Sequence, residues 1–192
     1  MPTLSMVTDA ELVLLSEAGD EAAFLELYRR HQGAVYRFAL MMNGSAPAAE
    51  DVTQDVFVSL IRRRCRFDPQ RGTLRSFLLG VARNHLRKRW ARERPSEPLH
   101  ETLIDVSDPH GDFERSEQIE RVRRAVLLLP SRYREVVVLC DLQGLTEPEA
   151  AAVLGCPVGT VSSRLHRARA RLLERLRAIT PHSSVTWTRC FP

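Results

Sequence analysis

Apolar residues recur every three or four positions along most of this chain, and nowhere do they alternate over the length of a strand. Phe24, Leu27, Val35, Phe38 and Met42 share one helical face. Val52, Val56 and Leu60 share another, with Phe57 and Ile61 beside them, and Leu74, Phe77, Leu78, Val81 and Leu86 a third. Ile119, Val122, Ala125, Val126 and Leu129 repeat the pattern nearer the C-terminus. Polar and breaking residues set the predicted ends. Asp9 is placed to cap a short helix through Ala18 that Gly19 ends, and Asp20 to cap the next, running to about Met42. Residues 43–47 form a turn, a third helix spans about Pro47 to Arg66, and the polar loop 67–72 leads to a fourth, from about Thr73 to Arg92. Periodicity resumes near Glu114 and stops at Pro130. Ser131 is then placed to cap a helix through about Leu142, and Gln143-Gly144 turns the chain again.

The segment from Leu145 to Leu172 has the plan of a helix, a tight turn and a second helix. Thr146 and Glu149 have capping-box spacing, and Pro148 falls in the first turn, where a missing N–H does little harm. Gly155 stands where a helix end needs a left-handed residue, and Cys156-Pro157 blocks continuation. In the second helix Val161, Leu165, Ala168, Leu172 and Leu176 make an apolar stripe. Gly159, Ser163, His166 and Ala170 point the other way, with Ser162 and Arg167 beside them, Arg164 and Arg171 at one edge and Arg169 at the other. Short residues between guanidiniums suit a recognition helix in a DNA major groove. A solvated basic helix would look similar, but the capped first helix and the turn favour DNA binding.

Between the two periodic regions, residues 94–113 are rich in Pro, Ser, Asp and Glu and read as a flexible acidic linker. The expected fold is therefore all-α: two small helical bundles joined by that linker, the C-terminal one containing the helix-turn-helix. The tail, residues 180–192, has no periodicity, although it holds Trp187, Cys190 and Phe191.

Composition narrows the chemistry. The 192 residues carry 28 Lys and Arg against 24 Asp and Glu, a formal net charge of +4. The excess is modest but clustered, which is what a polyanion meets. Cys65, Cys140, Cys156 and Cys190 are far apart, with neither metal-ligand spacing nor a disulfide framework. Reduced thiols in a cytoplasmic protein are expected. A metal or redox site using Cys190 and His182 is a remote alternative, because one thiol and one imidazole make a poor site. There is no leader-like segment and no apolar run long enough to span a bilayer. No phosphate-cradling Gly loop, metal-ligand cluster or nucleophile–base pair appears, so neither an enzyme nor a cofactor is expected.

Two further patches have open readings. Asp51, Gln54 and Asp55 share an exposed helix face; alone they read as solvated surface, with a docking patch for a basic partner as the alternative. The end of the fourth helix, from Arg83 to Arg92, has charges all the way round, with an Asn, a His and Trp90 among them. Cations and flat side chains suit single-stranded nucleic acid. A solvated helix end with Trp90 covering the core fits equally well.

Four segments together resemble a known family. They are Glu50 to Phe57, Gly72 to Asn84, Leu128 to Leu139, and Gly155 to Arg169. In this order, around an acidic linker, they resemble the sigma-70 factors of bacterial RNA polymerase, in the extracytoplasmic-function (ECF) group. The resemblance implies a region 2-like domain at 9–93, a linker at 94–113, a region 4-like helix-turn-helix domain at 114–179 and a tail at 180–192. It implies a transcription initiation factor that binds core RNA polymerase, directs it to −35 and −10 promoter elements, helps melt the −10 region and answers to an anti-sigma factor.

Site roles follow from the same likeness. Asp51, Gln54 and Asp55 become the docking face for core polymerase. Asn84 matches a position near a flipped-out −10 base, with Phe67, Arg71, Arg83, Arg87, Lys88 and Trp90 as helpers. Ser162, Ser163, His166 and Arg167 match positions that face −35 bases, and Thr160, Arg164, Arg169 and Arg171 would hold phosphates. The chain departs from the family pattern in three places. It has Phe77 where Trp is frequent, Lys88 where an acid is frequent, and Ser162 where a basic residue is common. A bidentate arginine–guanine contact is thus unavailable at Ser162. The competing reading is a stand-alone dimeric helix-turn-helix regulator, which leaves the first bundle without a role.

Overall fold

The computed structural model describes residues 6–62, 65–92 and 113–179. Among them are eight α-helices and no strand: α1 Asp9–Glu17, α2 Glu21–Asn43, α3 Ala46–Ile61, α4 Leu74–Arg92, α5 Phe113–Leu127, α6 Ser131–Val137, α7 Glu147–Leu154 and α8 Val158–Ile179. A 3-10 turn, Pro69–Arg71, precedes α4, and α6 continues as one π-helical turn, Val138–Leu142. Residues 94–112 of the linker expected between the bundles, and the tail with Trp187, Cys190 and Phe191, lie outside the described residues, while Phe113 already belongs to α5.

The first module is α1 to α4, packed around fully buried Leu27, Phe38, Met42, Leu78 and Leu86. Each such side chain contributes about 1.5–3 kcal/mol by leaving water. The Asp20 carboxylate accepts from Ala22 N and Ala23 N, as a cap should. Gly44 ends α2 with φ 79°, and a Cβ there would meet the Leu127 side chain at 3.4 Å. That contact is an ordinary one, so it is the left-handed backbone conformation that favours glycine at 44.

The second module is α5 to α8. Val126, Leu129, Val136, Leu139 and Val161 are buried in it, and its core is continuous with that of the first. The modules also meet through polar groups. Arg134 donates to Met42 O at 2.6 Å and to Leu127 O and Leu129 O. Arg123, itself buried, donates to Gly44 O at 3.1 Å. Two arginines of the second module therefore satisfy carbonyls at the C-terminal end of α2, where a helix leaves acceptors without internal partners and carries partial negative charge.

Several expectations need correction. Thr8, not Asp9, caps α1, in a reciprocal box with Glu11; Asp9 instead receives Arg30 and His31 at 3.1 and 2.8 Å. The position before Ser131 is the N-cap, and it is Pro130, with no side-chain cap bond. The third helix ends at Ile61, not Arg66, because the chain must leave the helix for Phe67 to reach Phe77, ring centroids 5.6 Å apart. Ile61 and Ile119, expected inside, are 55% and 62% exposed. Phe77 and Val81 are only half-buried.

Candidate nucleic-acid interface

The helix-turn-helix is built as its sequence predicts. Glu149 accepts from Thr146 N at 2.9 Å and Thr146 Oγ1 at 2.8 Å, while Thr146 Oγ1 accepts from Glu149 N at 3.4 Å. The backbone and hydroxyl of Thr146 hold the Glu149 carboxyl below its usual range. Gly155 ends α7 at φ 65°, its N–H bonded to Ala151 O.

In α8 the predicted stripe is buried at Val161, Leu165 and Ala168, and Leu172 is half-buried. Ser162, Ser163, His166, Arg167 and Ala170 are exposed, while Thr160 and Arg164 are half-buried. Ser163 Oγ donates to Thr160 O at 3.1 Å, so its proton is used within the helix. Four of the cationic and polar groups of this face line a depression of about 630 Å³: His166, Arg167, Arg171 and Arg175, with Ala170 and Glu174 between them.

Two features of this face were not visible in the sequence. Arg169 is gripped by Asp141 of the π-helical turn, at 3.1 and 2.5 Å, and the Asp141 side chain is only 10% exposed. That contact raises the Arg169 pKa and fixes the direction of its guanidinium. Tyr133 is buried behind α8, with Arg132 and Arg171 over its ring at 4.8 and 5.0 Å. Burial pushes the phenol up, but Arg132, Arg167 and Arg171 more than offset it and hold it below its ordinary value.

On the first module, Asp51, Gln54 and Asp55 are all exposed on α3. They are not isolated. Arg89 of α4 lies 3.1 Å from Asp51, and His85 Nδ1 lies 3.8 Å from Asp55. With both carboxylates 63% exposed, such contacts are worth little and exchange easily for a partner's cations. Beside this face runs a groove of about 800 Å³ between α2 and α3, whose lining includes Tyr28, Tyr36, Gln54, Phe57 and Ile61.

Asn84, Arg87 and Lys88 are exposed on α4, and Arg71 is exposed on the 3-10 turn. Phe67 packs on Phe77, and the half-buried Trp90 points its indole N–H at Asn43 Oδ1, 3.5 Å away. Arg83 is apart from this group. Its Nε donates to Glu135 of α6 at 2.7 Å, with side chains 14% and 11% exposed, and its Nη1 reaches Val153 O of α7 at 3.5 Å.

The cysteines carry no reactive arrangement among the described residues: Cys65, Cys140 and Cys156 are free, and burial with the nearby Asp141 and Glu147 pushes the Cys140 thiol up to about 11. No group of three or more His, Cys, Asp or Glu among the described residues is placed to hold a metal. Cys190 and His182 lie outside them. Nor is any described helix long and apolar enough to cross a membrane.

Fold and surface define an all-helical protein whose second module presents a DNA-binding helix-turn-helix and whose first presents the face with Asp51 and Asp55. Residues 27–95 match the family model "Sigma-70 region 2" and residues 119–172 match "Sigma-70, region 4". The ECF RNA polymerase sigma factor SigM of Mycobacterium tuberculosis is 35% identical, over 88% of this chain and 85% of its own. The RNA polymerase sigma factor CnrH of Cupriavidus metallidurans is 33% identical, over 88% and 96%. A solved structure of CnrH in complex with the cytosolic domain of CnrY superposes with a TM-score of 0.68 at 30% identity, over 88% of this chain and 97% of that one. The chain belongs to the sigma-70 family of RNA polymerase sigma factors, in the ECF group. It is a transcription initiation factor.

Proposed function

We propose that this factor divides its work between the two modules. Region 2, within residues 9–93, docks on core polymerase through Asp51, Gln54 and Asp55 and handles the melted −10 strand through α4. Asn84 lies nearest a flipped base, and Arg71, Arg87, Lys88, Phe67 and Trp90 support it. Unstacking a base costs a few kcal/mol, which a basic, aromatic surface can repay. Region 4, within residues 114–179, reads the −35 duplex with Ser162, Ser163, His166 and Arg167. Thr160, Arg164, Arg169 and Arg171 hold its phosphates. The protein does no chemistry itself, works in the cytoplasm and takes no cofactor.

The observation that carries this reading is α8: a buried apolar stripe on one side and an exposed, small, arginine-flanked face on the other, behind a capped α7. Control by an anti-sigma factor is part of the proposal. It is supported by a solved complex of the sigma factor RpoE with the anti-sigma factor NepR from Bartonella quintana, TM-score 0.66 at 25% identity. A gel shift on promoter DNA with and without core polymerase tests the division of work. Tight binding is expected only with core enzyme. Tight binding by the protein alone, as a dimer, would instead favour a stand-alone regulator.

A further inference from the structure

Resting on the sigma-factor reading, we propose that Tyr133 of α6 is a positioning residue for −35 recognition, holding Arg167 and Arg171 of α8 in the orientation in which they meet DNA. Arg167 and Arg171 stand four residues apart on α8, so they share a face. Both line the depression on that face, with His166 and Arg175. Tyr133 reaches them from a separate helix that packs against α8. The Arg171 guanidinium lies over its ring, 5.0 Å from the centroid, and Arg167 interacts with its hydroxyl. One side chain thus supports a proposed base reader and a proposed phosphate ligand, through two different groups.

The support is rigid. Tyr133 is 5% exposed, its N–H donates to Pro130 O at 2.8 Å, and the adjoining Arg134 is tied to Met42 O. The arginines it holds are exposed, and without it each would lose more rotamer freedom on binding. A ring face is also a support that leaves the work of the cation intact. A guanidinium over an aromatic ring keeps its in-plane N–H donors for a phosphate or a base edge. Arg169, by contrast, gives two of its donors to Asp141. Arg132 lies over the Tyr133 ring as well, at 4.8 Å, so three guanidiniums gather at one phenol. Their mutual repulsion is relieved when the phosphates of a duplex arrive.

The test is binding of a promoter active in run-off transcription, and of its scrambled −35 version, by core polymerase with the full chain. Fluorescence anisotropy follows it over a range of salt, for wild type, Tyr133→Phe and Tyr133→Leu. Tyr133→Phe keeps the ring and removes the hydroxyl. It should lose about fivefold of discrimination for the −35 element, as expected when one long side chain must be ordered anew, and leave the salt dependence unaltered. Added to Arg167→Ala, it should cost nothing more, because it acts through Arg167. Tyr133→Leu removes the ring as well. It should also weaken binding to both sequences and reduce the salt slope by about 0.9, the share of one phosphate contact. Circular dichroism checks that the variants stay helical, and if Tyr133→Leu unfolds, Tyr133→Phe and its combination with Arg167→Ala decide. Wild-type discrimination in Tyr133→Phe would overturn the proposal. So would an equal loss on both sequences, or losses that add to that of Arg167→Ala, since a merely structural residue gives those results. If wild-type protein with core enzyme binds no promoter, the sigma-factor reading itself fails and this role with it.

Discussion

Arg134 offers the sharpest test of how the two modules hold together. Its guanidinium donates to three carbonyls: Met42 O in the first module and Leu127 O and Leu129 O in the second. Hydrogen bonds from a charged donor contribute about 1.5–3 kcal/mol each, so the gross loss on removing all three is about 5–9 kcal/mol. Burial offsets part of this, and the same burial lowers the Arg134 pKa. The expected net cost of Arg134→Met is therefore about 3–5 kcal/mol, in line with leaving buried partners unpaired. Methionine keeps an unbranched chain in the space, so the effect reports the lost donors more than a cavity. Urea unfolding of the full chain measures it, with a fall in thermal midpoint of roughly 10 °C as the companion readout. Arg124→Met is the control: that guanidinium is 59% exposed and pairs with Glu120, so its loss should cost under about 0.5 kcal/mol. A loss below about 1 kcal/mol for Arg134→Met would show that the three carbonyls find other donors, and would refute the account of Arg134 as one of the links across the modules.

Thr146→Ala should cost about 1 kcal/mol of stability through the lost cap. Because Thr146 depresses the Glu149 pKa, that carboxylate stabilises the fold above its ordinary unfolded value and ceases to do so as pH falls through the lower folded value. Thr146→Ala should flatten this part of the acid unfolding curve, and an unaltered curve would count against the linkage. Asp51→Arg with Asp55→Arg should abolish co-purification with core polymerase while helix content stays the same; retained binding would remove this patch from the docking face. Arg167→Ala should lose about 1–3 kcal/mol of discrimination for the −35 element. An equal loss on scrambled DNA would make Arg167 a phosphate ligand.

Much of this molecule can be read from periodicity and caps. The α8 stripe, the Thr146–Glu149 box, the Asp20 cap and the left-handed Gly155 are local features, and local chemistry predicts them. The misplaced boundaries have local causes too. Thr8 and Asp9 are both competent caps, and Thr8 with Glu11 is the reciprocal pair one residue earlier. Ser131 follows a proline that already occupies the cap position. What the pattern cannot register is an arginine that faces another module rather than water. Arg75, Arg83, Arg123 and Arg134 count as polar in any helical wheel, yet they bridge α2 or α4 to the second module. The partial charges they satisfy belong to residues tens of positions away. The π-helical turn that carries Asp141 under Arg169 is hidden for the same reason, since its hydrogen bonds differ from an α-helix by one residue.

The central claim is that these two modules act through a polymerase and a promoter. Run-off transcription by core RNA polymerase on a library of promoters, with and without the purified protein, tests it most directly. Added protein should produce new transcripts from a set of start sites sharing one −35 and one −10 sequence. A core enzyme that starts nowhere new in its presence would contradict the claim.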